Sequence, residues 1–445
     1  MPVTVLRDAD IFTADAEHRV LAGGWLAIAN GRIVDIGPAG TAPPGAGSDS
    51  VVDLSGHALL PGLVNAHTHS PMILFRGRAE GHSLLTMDGW WRAIRKPELH
   101  LIAADIHPAA ALSYAEMARC GTTLVADQYF FADEIYAAAH ASGLRAVIAY
   151  GIVELGDEAR GKRELATAVD FVEHAARAGN DKVRGWIGPH APFVDNSESL
   201  LRAEASAANA HGVGLHLHMA VGPEDNEHTL ASRGVTAAVA LDRIGFFAAR
   251  VLAAHCLDLA AADIAVFANA KHAAVVHCPT AGLRSGRPAI TPVVDLLAAG
   301  VTVALGTDNA AANTSYDLFT EMKAAGLAAS HREGRAGALP AGTLLRMATI
   351  DGARALGLDL ETGSLEIGKA ADLIAVDCRG PGYSAAPDLA TLLVYSGSGH
   401  GVRHVLVAGD WIVKDNQLMG TDLHRLSDAY QRTYRHFWDR VEAAT

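Results

Sequence analysis

The chain has 445 residues, a formal net charge of −13 and 50% apolar residues, enough apolar material for a large domain with a smaller one beside it. The negative charge is spread along the sequence, so we expect neither a nucleic-acid partner nor a membrane surface. The N-terminal MPVTVLRDAD lacks the basic and apolar regions of a signal peptide, and no apolar run reaches the roughly 18 residues of a membrane span. The four cysteines include no CxxC pair. We therefore predict a cytoplasmic protein with neither a disulfide framework nor a thiolate zinc site.

The first predicted element is a β-hairpin in GGWLAIANGRIVDIG, where two apolar runs flank Asn30-Gly31. From about residue 59 the pattern changes. Short β-branched apolar runs now end in polar or glycine residues and alternate with alanine-rich helical stretches. The predicted strands are Leu63–His67, Thr122–Asp127, Leu144–Ile152, Val183–Pro189, Val213–His218, Val251–His255, Ala273–His277 and Val301–Thr307.

This alternation predicts an α/β protein with a parallel (β/α)8 TIM barrel. A doubly wound open sheet is the alternative, but it predicts a glycine-rich phosphate turn after the first strand, which the sequence lacks. Near the C terminus HVLVAGDWIVKDN repeats the hairpin design, GKAADLIAVD adds a strand, and LHRLSDAYQRTYRHFWDRVEAA has a helical pattern. We predict a small β-sandwich formed from both termini (1–58 and 366–420), the barrel (59–365) and a C-terminal surface helix (421–445).

Histidines gather at the predicted strand ends, where a barrel of this kind carries its functional side chains. His67 and His69 are two residues apart, so on extended backbone both rings point to the same side and reach one cation. The other residues at strand ends are His216 and His218 on strand five, His255 on strand six, His277 on strand seven and Asp308 after strand eight.

A single histidine at a strand end is more often a hydrogen-bonded core or surface residue than a ligand, and an HxH pair alone is also a weak signal. The combination at one barrel mouth is what predicts a metal site. Three histidines and an aspartate suit zinc or iron(II) and leave a coordination position open for water. Strand geometry does not decide between His216 and His218, because both side chains lie on the same face of the strand.

Eight stretches of the sequence together resemble the amidohydrolase superfamily. They match the branch that contains methylthioadenosine/S-adenosylhomocysteine deaminases and triazine aminohydrolases and chlorohydrolases. The resemblance covers nearly the whole chain and implies the barrel fold and a metal-dependent hydrolase. The stretches are PGLVNAHTHSPMILFRG, EMARCGTTLVADQYFF, GPHAPF, AAHC, HCPTA, GTDNAAANTSYDL, MATIDGARALGL and GSLEIGKAADLIAVD.

The resemblance also implies a role for each candidate residue. One divalent metal ion, zinc or alternatively iron(II), would be bound by His67, His69, His218 and Asp308. His218 rather than His216 is implied because it keeps the family's spacing to the motif that follows. His255 would hydrogen-bond the water on the metal, and Asp308 would take the proton as hydroxide attacks a ring carbon. His190, in GPHAPF, would contact the substrate ring.

The stretch HMAV (residues 218–221) departs from the branch, whose deaminases carry a glutamate three residues after the strand-five ligand. That glutamate protonates a ring nitrogen, and general acid catalysis of this kind contributes about 10²–10⁴-fold. Val221 cannot transfer a proton. Three explanations remain open. Glu224 or Asp225 takes over, with Glu224 as our catalytic candidate; the substrate needs no ring protonation; or the protein binds metal and ligand without catalysing a reaction.

We therefore predict a metal-dependent hydrolase of carbon–nitrogen bonds other than peptide bonds. The leading hypothesis is an aminohydrolase (deaminase) acting on a purine-like or related nitrogen heterocycle. The alternatives are a hydrolase that releases another leaving group (halide, alkylamine or amide) and a non-catalytic metal-containing binding protein. The expected partners are a small heterocyclic substrate and further copies of the chain, since relatives of this type are commonly dimers or larger.

Overall fold

The computed structural model describes residues 3–41, 50–84, 86–383 and 388–444, and the strands form two sheets. The N-terminal strands are β1 (Thr4–Phe12), β2 (Val20–Ala29), β3 (Arg32–Gly37), β4 (Ser50–Asp53) and β5 (His57–Pro61). The central strands are β6 (Leu63–Thr68), β7 (Thr122–Tyr129), β8 (Arg145–Ile152), β9 (Val183–Pro189), β10 (Gly214–Met219), β11 (Arg250–His255), β12 (Ala273–His277) and β13 (Thr302–Leu305). The C-terminal strands are β14 (Leu373–Asp377), β15 (Val402–Val407), β16 (Asp410–Lys414) and β17 (Gln417–Leu418).

Strands β6 to β13 form a parallel barrel, in chain order, within the described residues. The first and last strands meet where Thr68 bridges Asp308 and the Asp308 amide donates to the His67 carbonyl at 3.0 Å. Gly306 permits this approach, since a Cβ there would lie 2.8 Å from the Cβ of His67. The predicted (β/α)8 barrel is confirmed.

The barrel strands are buried on both faces, as expected of a parallel sheet covered by helices. All eight residues of β7 are buried. Small and branched side chains such as Leu124, Ala126 and Val147 form one cluster inside, and the outward side chains pack against the helices in another. The interior is therefore a packed core, and the chemistry is left to the ends of the strands.

Helices connect the strands and cover the barrel. Helices α4 and α6 end at Gly143 and Gly212 in the left-handed conformation that favours glycine. Within the described residues, no helix combines the length and apolar character needed to cross a membrane. The helices are α1 (Met87–Trp90), α2 (Lys96–Glu98), α3 (Ala103–Arg119), α4 (Ala132–Ser142), α5 (Glu158–Arg177), α6 (Glu198–His211), α7 (Pro223–Arg233), α8 (Ala237–Arg243), α9 (Ala261–Asn269), α10 (Pro279–Arg284), α11 (Val293–Ala298), α12 (Leu318–Glu333), α13 (Ala341–Met347), α14 (Ile350–Ala355), α15 (Leu389–Ser396) and α16 (Leu423–Ala443).

Both ends of the chain contribute to the second sheet, which we call the terminal sheet. Its order is β17-β16-β15-β14-β5-β1-β2-β3, with β4 paired to β1. The N-terminal and C-terminal segments meet where β5 pairs antiparallel with β14. The prediction that the two termini combine into one β unit is confirmed. Strand β5 spans residue 58, the predicted boundary, and leads into the barrel through Gly62.

The C-terminal helix α16 packs against α3 on the outside of the barrel. Its apolar side chains Tyr430, Phe437 and Val441 are buried, and the rest of the helix is mostly polar. Arg78 lies over the ring of Trp438 at 4.2 Å and so links this helix to the segment that follows β6.

Candidate active site

Four histidines and an aspartate converge at the carboxyl ends of the barrel strands. They are His67 and His69 from β6 and the residue after it, His218 from β10, His255 from β11 and Asp308 from the loop after β13. One possible ligand atom from each of His67, His69 and His218 lies within 4.8 Å of the others, and the same holds for His67, His255 and Asp308. The strand ends therefore bring together the residues that the sequence pattern singled out.

The donor atoms have the spacing that one small cation requires. The Nε2 atoms of His69 and His218 are 3.1 Å apart, and Oδ1 of Asp308 lies 3.6 Å from Nε2 of His67 and 3.5 Å from Nε2 of His69. Ligands around a tetrahedral zinc are separated by about 3.3 Å, since zinc–nitrogen bonds are about 2.05 Å long. Nε2 of His67 is buried and has no hydrogen-bond partner among the described residues. The donor set therefore fits a divalent metal ion.

The Nδ1 atoms of His69 and His218 each lie within hydrogen-bond distance of a main-chain carbonyl oxygen. Nδ1 of His69 lies 2.5 Å from the carbonyl oxygen of Gln128, and Nδ1 of His218 lies 3.0 Å from that of His190. A carbonyl oxygen only accepts hydrogen bonds, so both rings carry their proton on Nδ1 and keep the Nε2 lone pair for a metal. On the aspartate side, the Asn309 amide donates to Oδ1 of Asp308 at 2.8 Å.

His67 is supported by a side chain rather than a carbonyl. Its Nδ1 lies 2.7 Å from Nε2 of His216. His216 therefore contacts the Nδ1 side of the His67 ring and does not point to the centre of the cluster, although it shares a strand face with His218. Of the two histidines, His218 is the one that lies close to both His67 and His69, and its role as a metal ligand stays a prediction.

Burial suppresses the charged form of these rings. It is the largest cause of the lowered pKa of His67, His69, His218 and His255, and for His67 the neighbouring imidazoles lower the pKa further. Burial also lowers the pKa of His216 to about 3. Neutral imidazoles at neutral pH are the form that binds a metal.

Two site residues have strained backbone conformations. His255 has a φ of +71° and Asp308 a φ of +56°, in the left-handed region that costs non-glycine residues about 1–3 kcal/mol. The surrounding structure holds the turn at His255, because Thr291 donates to its carbonyl oxygen at 2.8 Å and the Cys256 amide donates to the Met219 carbonyl at 2.9 Å. Such strain is common where side chains are aimed into a functional site.

An open cavity of about 990 Å³, including space open to solvent, lies over the cluster. Apolar side chains form much of its wall, among them Met72, Leu84, Trp90, Phe130 and Val221. A mostly apolar lining with a few convergent polar groups is typical of a site for a small organic molecule.

His190 lines this cavity, and Trp90 packs on it with a ring separation of 5.6 Å. Nδ1 of His190 lies 2.5 Å from Oδ2 of Asp195. Burial lowers the pKa of His190, but the carboxylate of Asp195 outweighs this, and the pKa is raised overall. Trp90 belongs to α1. Several side chains between Thr86 and Glu98 line one side of the cavity, and we call this segment the lid.

Two further polar side chains at the cavity, Gln128 and Glu98, were not among the predicted site residues. Gln128 lies at the end of β7, so the strand-end rule that found the histidines was a usable signal for it. Glu98 lies in the short helix α2 of the lid, where no periodic pattern identified it. Its Oε1 accepts a hydrogen bond from the Tyr129 hydroxyl at 2.5 Å and its Oε2 one from Arg95 at 3.2 Å. Burial raises its pKa.

The two acids that follow Val221 have different surroundings. Glu224 is 48% exposed, and its oxygens contact the Arg287 guanidinium at 3.3 Å and the Met87 amide at 3.1 Å. Asp225 accepts a hydrogen bond from the Val221 amide at 2.9 Å, and burial raises its pKa. Both acids line the cavity, but neither belongs to the groups that could hold a metal among the described residues.

Known proteins share the sequence of this chain over almost its full length. The 5'-deoxyadenosine deaminase of Methanosarcina mazei is 37% identical over 443 residues, 99% of each chain. The 5-methylthioadenosine/S-adenosylhomocysteine deaminase of Moorella thermoacetica is 38% identical over 408 residues, 92% of this chain and 94% of the relative.

Solved structures share its fold. An adenosine deaminase from Xanthomonas campestris with bound zinc has a TM-score of 0.90 and 30% identity, covering 99% of this chain and 98% of that one. The atrazine chlorohydrolase TrzN from Arthrobacter aurescens TC1, complexed with zinc, has a TM-score of 0.88 and 25% identity, covering 97% and 100%.

The model of the Amidohydrolase family matches residues 58–412. These similarities confirm the predicted family and fold class, and with them the prediction of an enzyme that hydrolyses carbon–nitrogen bonds. This chain belongs to the amidohydrolase family.

Proposed function

We propose that this enzyme is a metal-dependent deaminase that hydrolyses the exocyclic amino group of an adenosine-type nucleoside. The observation that carries the proposal is the group of convergent donors, three imidazole Nε2 atoms and one carboxylate, beneath a largely apolar cavity. The relatives named above as deaminases of 5'-substituted adenosines support the same substrate class.

His67, His69, His218 and Asp308 are the proposed ligands of one divalent ion, zinc as in the solved relatives or alternatively iron(II). Such an ion lowers the pKa of a bound water towards neutrality and so supplies a nucleophile at working pH. The neutral, pre-oriented rings make the cluster ready to bind it without rearrangement.

The side chains around the centre position the reactants. Asp308, held by Asn309, accepts the proton of the attacking water. His255, whose Nδ1 is buried without a partner among the described residues, orients that water and stabilises the developing negative oxygen. His190 contacts the heterocycle, which lies against Trp90. Glu224 as the proton donor to the ring stays a prediction.

Val221 in the cavity wall favours a second candidate, hydrolysis of a different leaving group. The same nucleophile would attack the carbon of an electron-poor triazine ring that carries chloride or an alkylamine, and this group would leave with the electron pair of the broken bond. A structural relative is named for atrazine chlorohydrolase activity. This reaction uses the same donors and differs only in the bond that breaks.

A panel of substrates tests the proposal. Zinc-loaded protein is incubated with adenosine, 5'-deoxyadenosine, 5'-methylthioadenosine, guanine, pterins, cytosine, aminotriazines and chlorotriazines, and ammonia, alkylamine and chloride are measured. We expect ammonia from the adenosines, and a loss of about 10²–10⁴-fold in Asp308→Asn, which removes the proton acceptor. Chloride or alkylamine release with no ammonia would favour the second candidate. No release from any compound would overturn both.

A further inference from the structure

One acid in the cavity has an oxygen that is free to meet a substrate. We propose that Asp225 is the proton donor of the reaction, giving its proton to the ring nitrogen beside the carbon that loses the amino group. This inference rests on the proposed function, because such a donor has a role only when a heterocyclic ring is attacked.

The proposal begins with elimination among the ionisable groups that line the cavity. Three of them, His69, His218 and Asp308, are proposed ligands, and His255 orients the nucleophile. Among the others, Glu98 has both oxygens engaged, by Tyr129 and Arg95. Both oxygens of Asp195 are also engaged, by His190 and the Ala191 amide.

Glu224, the candidate from the sequence, also has both oxygens engaged. It contacts the Met87 amide at the start of α1 and the Arg287 guanidinium. We infer that it fastens the lid to the start of α7, which is a positioning role. Its side chain is also about half exposed to solvent.

Asp225 differs from Glu224 in both respects. One oxygen, Oδ2, accepts the Val221 amide, and Oδ1 has no hydrogen-bond partner among the described residues. Asp225 is also one of the residues that line the cavity. The hydrogen bond holds the carboxyl beside Val221, three residues after His218, the position at which the resemblance to the deaminase branch implies a glutamate. Asp225 therefore supplies from α7 the carboxyl that β10 lacks.

The surroundings of Asp225 favour a protonated carboxyl. Burial is the largest cause of its raised pKa, and the negative charges of Asp195 and Glu224 act in the same direction. The Val221 amide and the Arg287 guanidinium oppose them, but the pKa remains raised overall. A carboxyl that holds its proton closer to neutral pH is a better general acid at that pH.

His190 is the remaining group with a free nitrogen facing the cavity. Its ring lies 4.8 Å from that of His218. The Asp195 carboxylate stabilises an imidazolium at His190. A divalent ion on His218 would oppose it, because like charges so close together are unfavourable. A neutral carboxyl donates a proton without adding positive charge beside the metal.

The protons balance across one turnover. Asp225 protonates the ring nitrogen as the water oxygen bonds to the adjacent carbon, and the C=N electron pair becomes the N–H bond. Asp308 receives one proton of the water and passes it to the amino group. The C–N bond then breaks, and its electron pair leaves with the nitrogen as ammonia. The second proton of the water restores Asp225, and the product is the oxo-purine with its ring N–H.

The test compares isosteric variants with the zinc-loaded wild type. We expect Asp225→Asn to lower kcat by about 10²–10⁴-fold with unchanged zinc content and melting temperature. Glu224→Gln should mainly raise KM, because it loosens the lid. Asp263→Asn is the matched control. Asp263 is a buried acid that accepts a hydrogen bond from the Ala260 amide at the start of α9, and it does not line the cavity. It should keep the wild-type rate.

The pH profile and a rescue separate proton transfer from support of the loop. A general acid works only while protonated, so wild-type kcat/KM should fall as pH rises through the pKa of Asp225, and Asp225→Asn should lose this limb. Adding Val221→Glu to Asp225→Asn should recover at least about tenfold in rate.

Four results would overturn the assignment. The first is a near-wild-type rate in Asp225→Asn, and the second is a variant of Asp225 whose kcat/KM still falls as pH rises. The third is a double variant that recovers no activity. The fourth is loss of this fall in kcat/KM in His190→Gln instead of in Asp225→Asn. A wild type that releases no ammonia would instead overturn the proposed function.

Discussion

The three proposed ligand histidines are oriented by partners of two kinds. His69 and His218 rest on main-chain carbonyls, whereas His67 rests on the side chain of His216. With a metal on Nε2, the proton of His67 must lie on Nδ1 and be donated to His216. We propose that His216 fixes the tautomer and orientation of His67 without itself binding a metal.

Replacing His216 by phenylalanine tests this role. The variant keeps an aromatic ring in a buried position but removes the acceptor. We expect zinc affinity to fall about 10–100-fold, the usual effect of removing such a partner, as measured by competition with a chelator. His404→Phe, at a buried histidine of the terminal sheet, is the control and should bind zinc like the wild type. Equal affinity in the two variants would contradict the role.

Much of the site at this scale follows from strand geometry. Two residues apart on a strand means the same face, which predicts that His67 and His69 cooperate. The same rule cannot separate His216 from His218. What separates them is depth in the barrel: His216 is fully buried, while His218 is partly exposed. The contact between Asp225 and Val221 was also beyond the sequence, because the turn at Gly222 sets it.

At the scale of elements, the site depends on how β6 and β13 meet. Gly306 follows β13 and passes so close to β6 that a Cβ would lie 2.8 Å from the Cβ and 2.9 Å from the backbone of His67. The predicted last strand, residues 301–307, is longer than the observed β13 (Thr302–Leu305). The chain leaves the strand at this glycine and turns Asp308 inward.

Gly306→Ala should therefore disturb the barrel closure and His67 together. We expect a loss of about 1–3 kcal/mol in the free energy of unfolding, as for other overpacked cores, and weaker zinc binding. Gly342→Ala is the control, because this glycine lies in α13 with no atom within 4 Å of an added Cβ. Its stability should stay the same or rise by up to about 1 kcal/mol. Denaturant unfolding of both variants decides, and a Gly306→Ala protein as stable as wild type would contradict the closure argument.

The barrel strands were predictable because each has its own apolar run and end signal. Strands β9 and β12 have the predicted bounds. The lid was not predictable in the same way. Between Thr86 and Glu98 the chain forms short helical pieces, including a π-helical turn over Trp91–Arg95, whose position depends on contacts with the cavity. No hydrophobic period marks such a segment.

At the scale of the whole molecule, the terminal sheet and the barrel are joined by a buried ion pair. Arg145 of β8 donates to Asp372, beside β14, at 2.6 Å, and their side chains are 4% and 0% exposed. Arg145 also contacts Glu361 at 2.6 Å. The two ends of the chain are thereby fixed to the outside of the barrel. A homo-oligomer stays a prediction.

Breaking this pair should cost far more than breaking a surface pair. Arg145→Met leaves a buried carboxylate without its partner, and we expect a loss of about 3–5 kcal/mol in the free energy of unfolding. Arg177→Ala removes an exposed pair with Glu173 and should cost about 0–1 kcal/mol. Urea unfolding measures both, and similar losses would contradict a structural role for the buried pair.

Metal binding should also stabilise the whole fold, because the ligands come from distant strands and converge only in the native state. We expect chelation to lower the melting temperature and zinc to restore it. Zinc at a hundred times its Kd should add about 2.7 kcal/mol to the free energy of unfolding. Asp308→Asn should reduce this shift. A melting temperature insensitive to both chelator and zinc would contradict a metal site at these residues.

The central claim is that water replaces the exocyclic amino group at this site. The most direct measurement is mass spectrometry of the product formed from 5'-deoxyadenosine by zinc-loaded enzyme in ¹⁸O-labelled water. We expect the product to be an oxo-purine nucleoside that carries one oxygen from the solvent, with one ammonia released per product molecule. A product that keeps the amino group, or unchanged substrate with zinc fully bound, would contradict it.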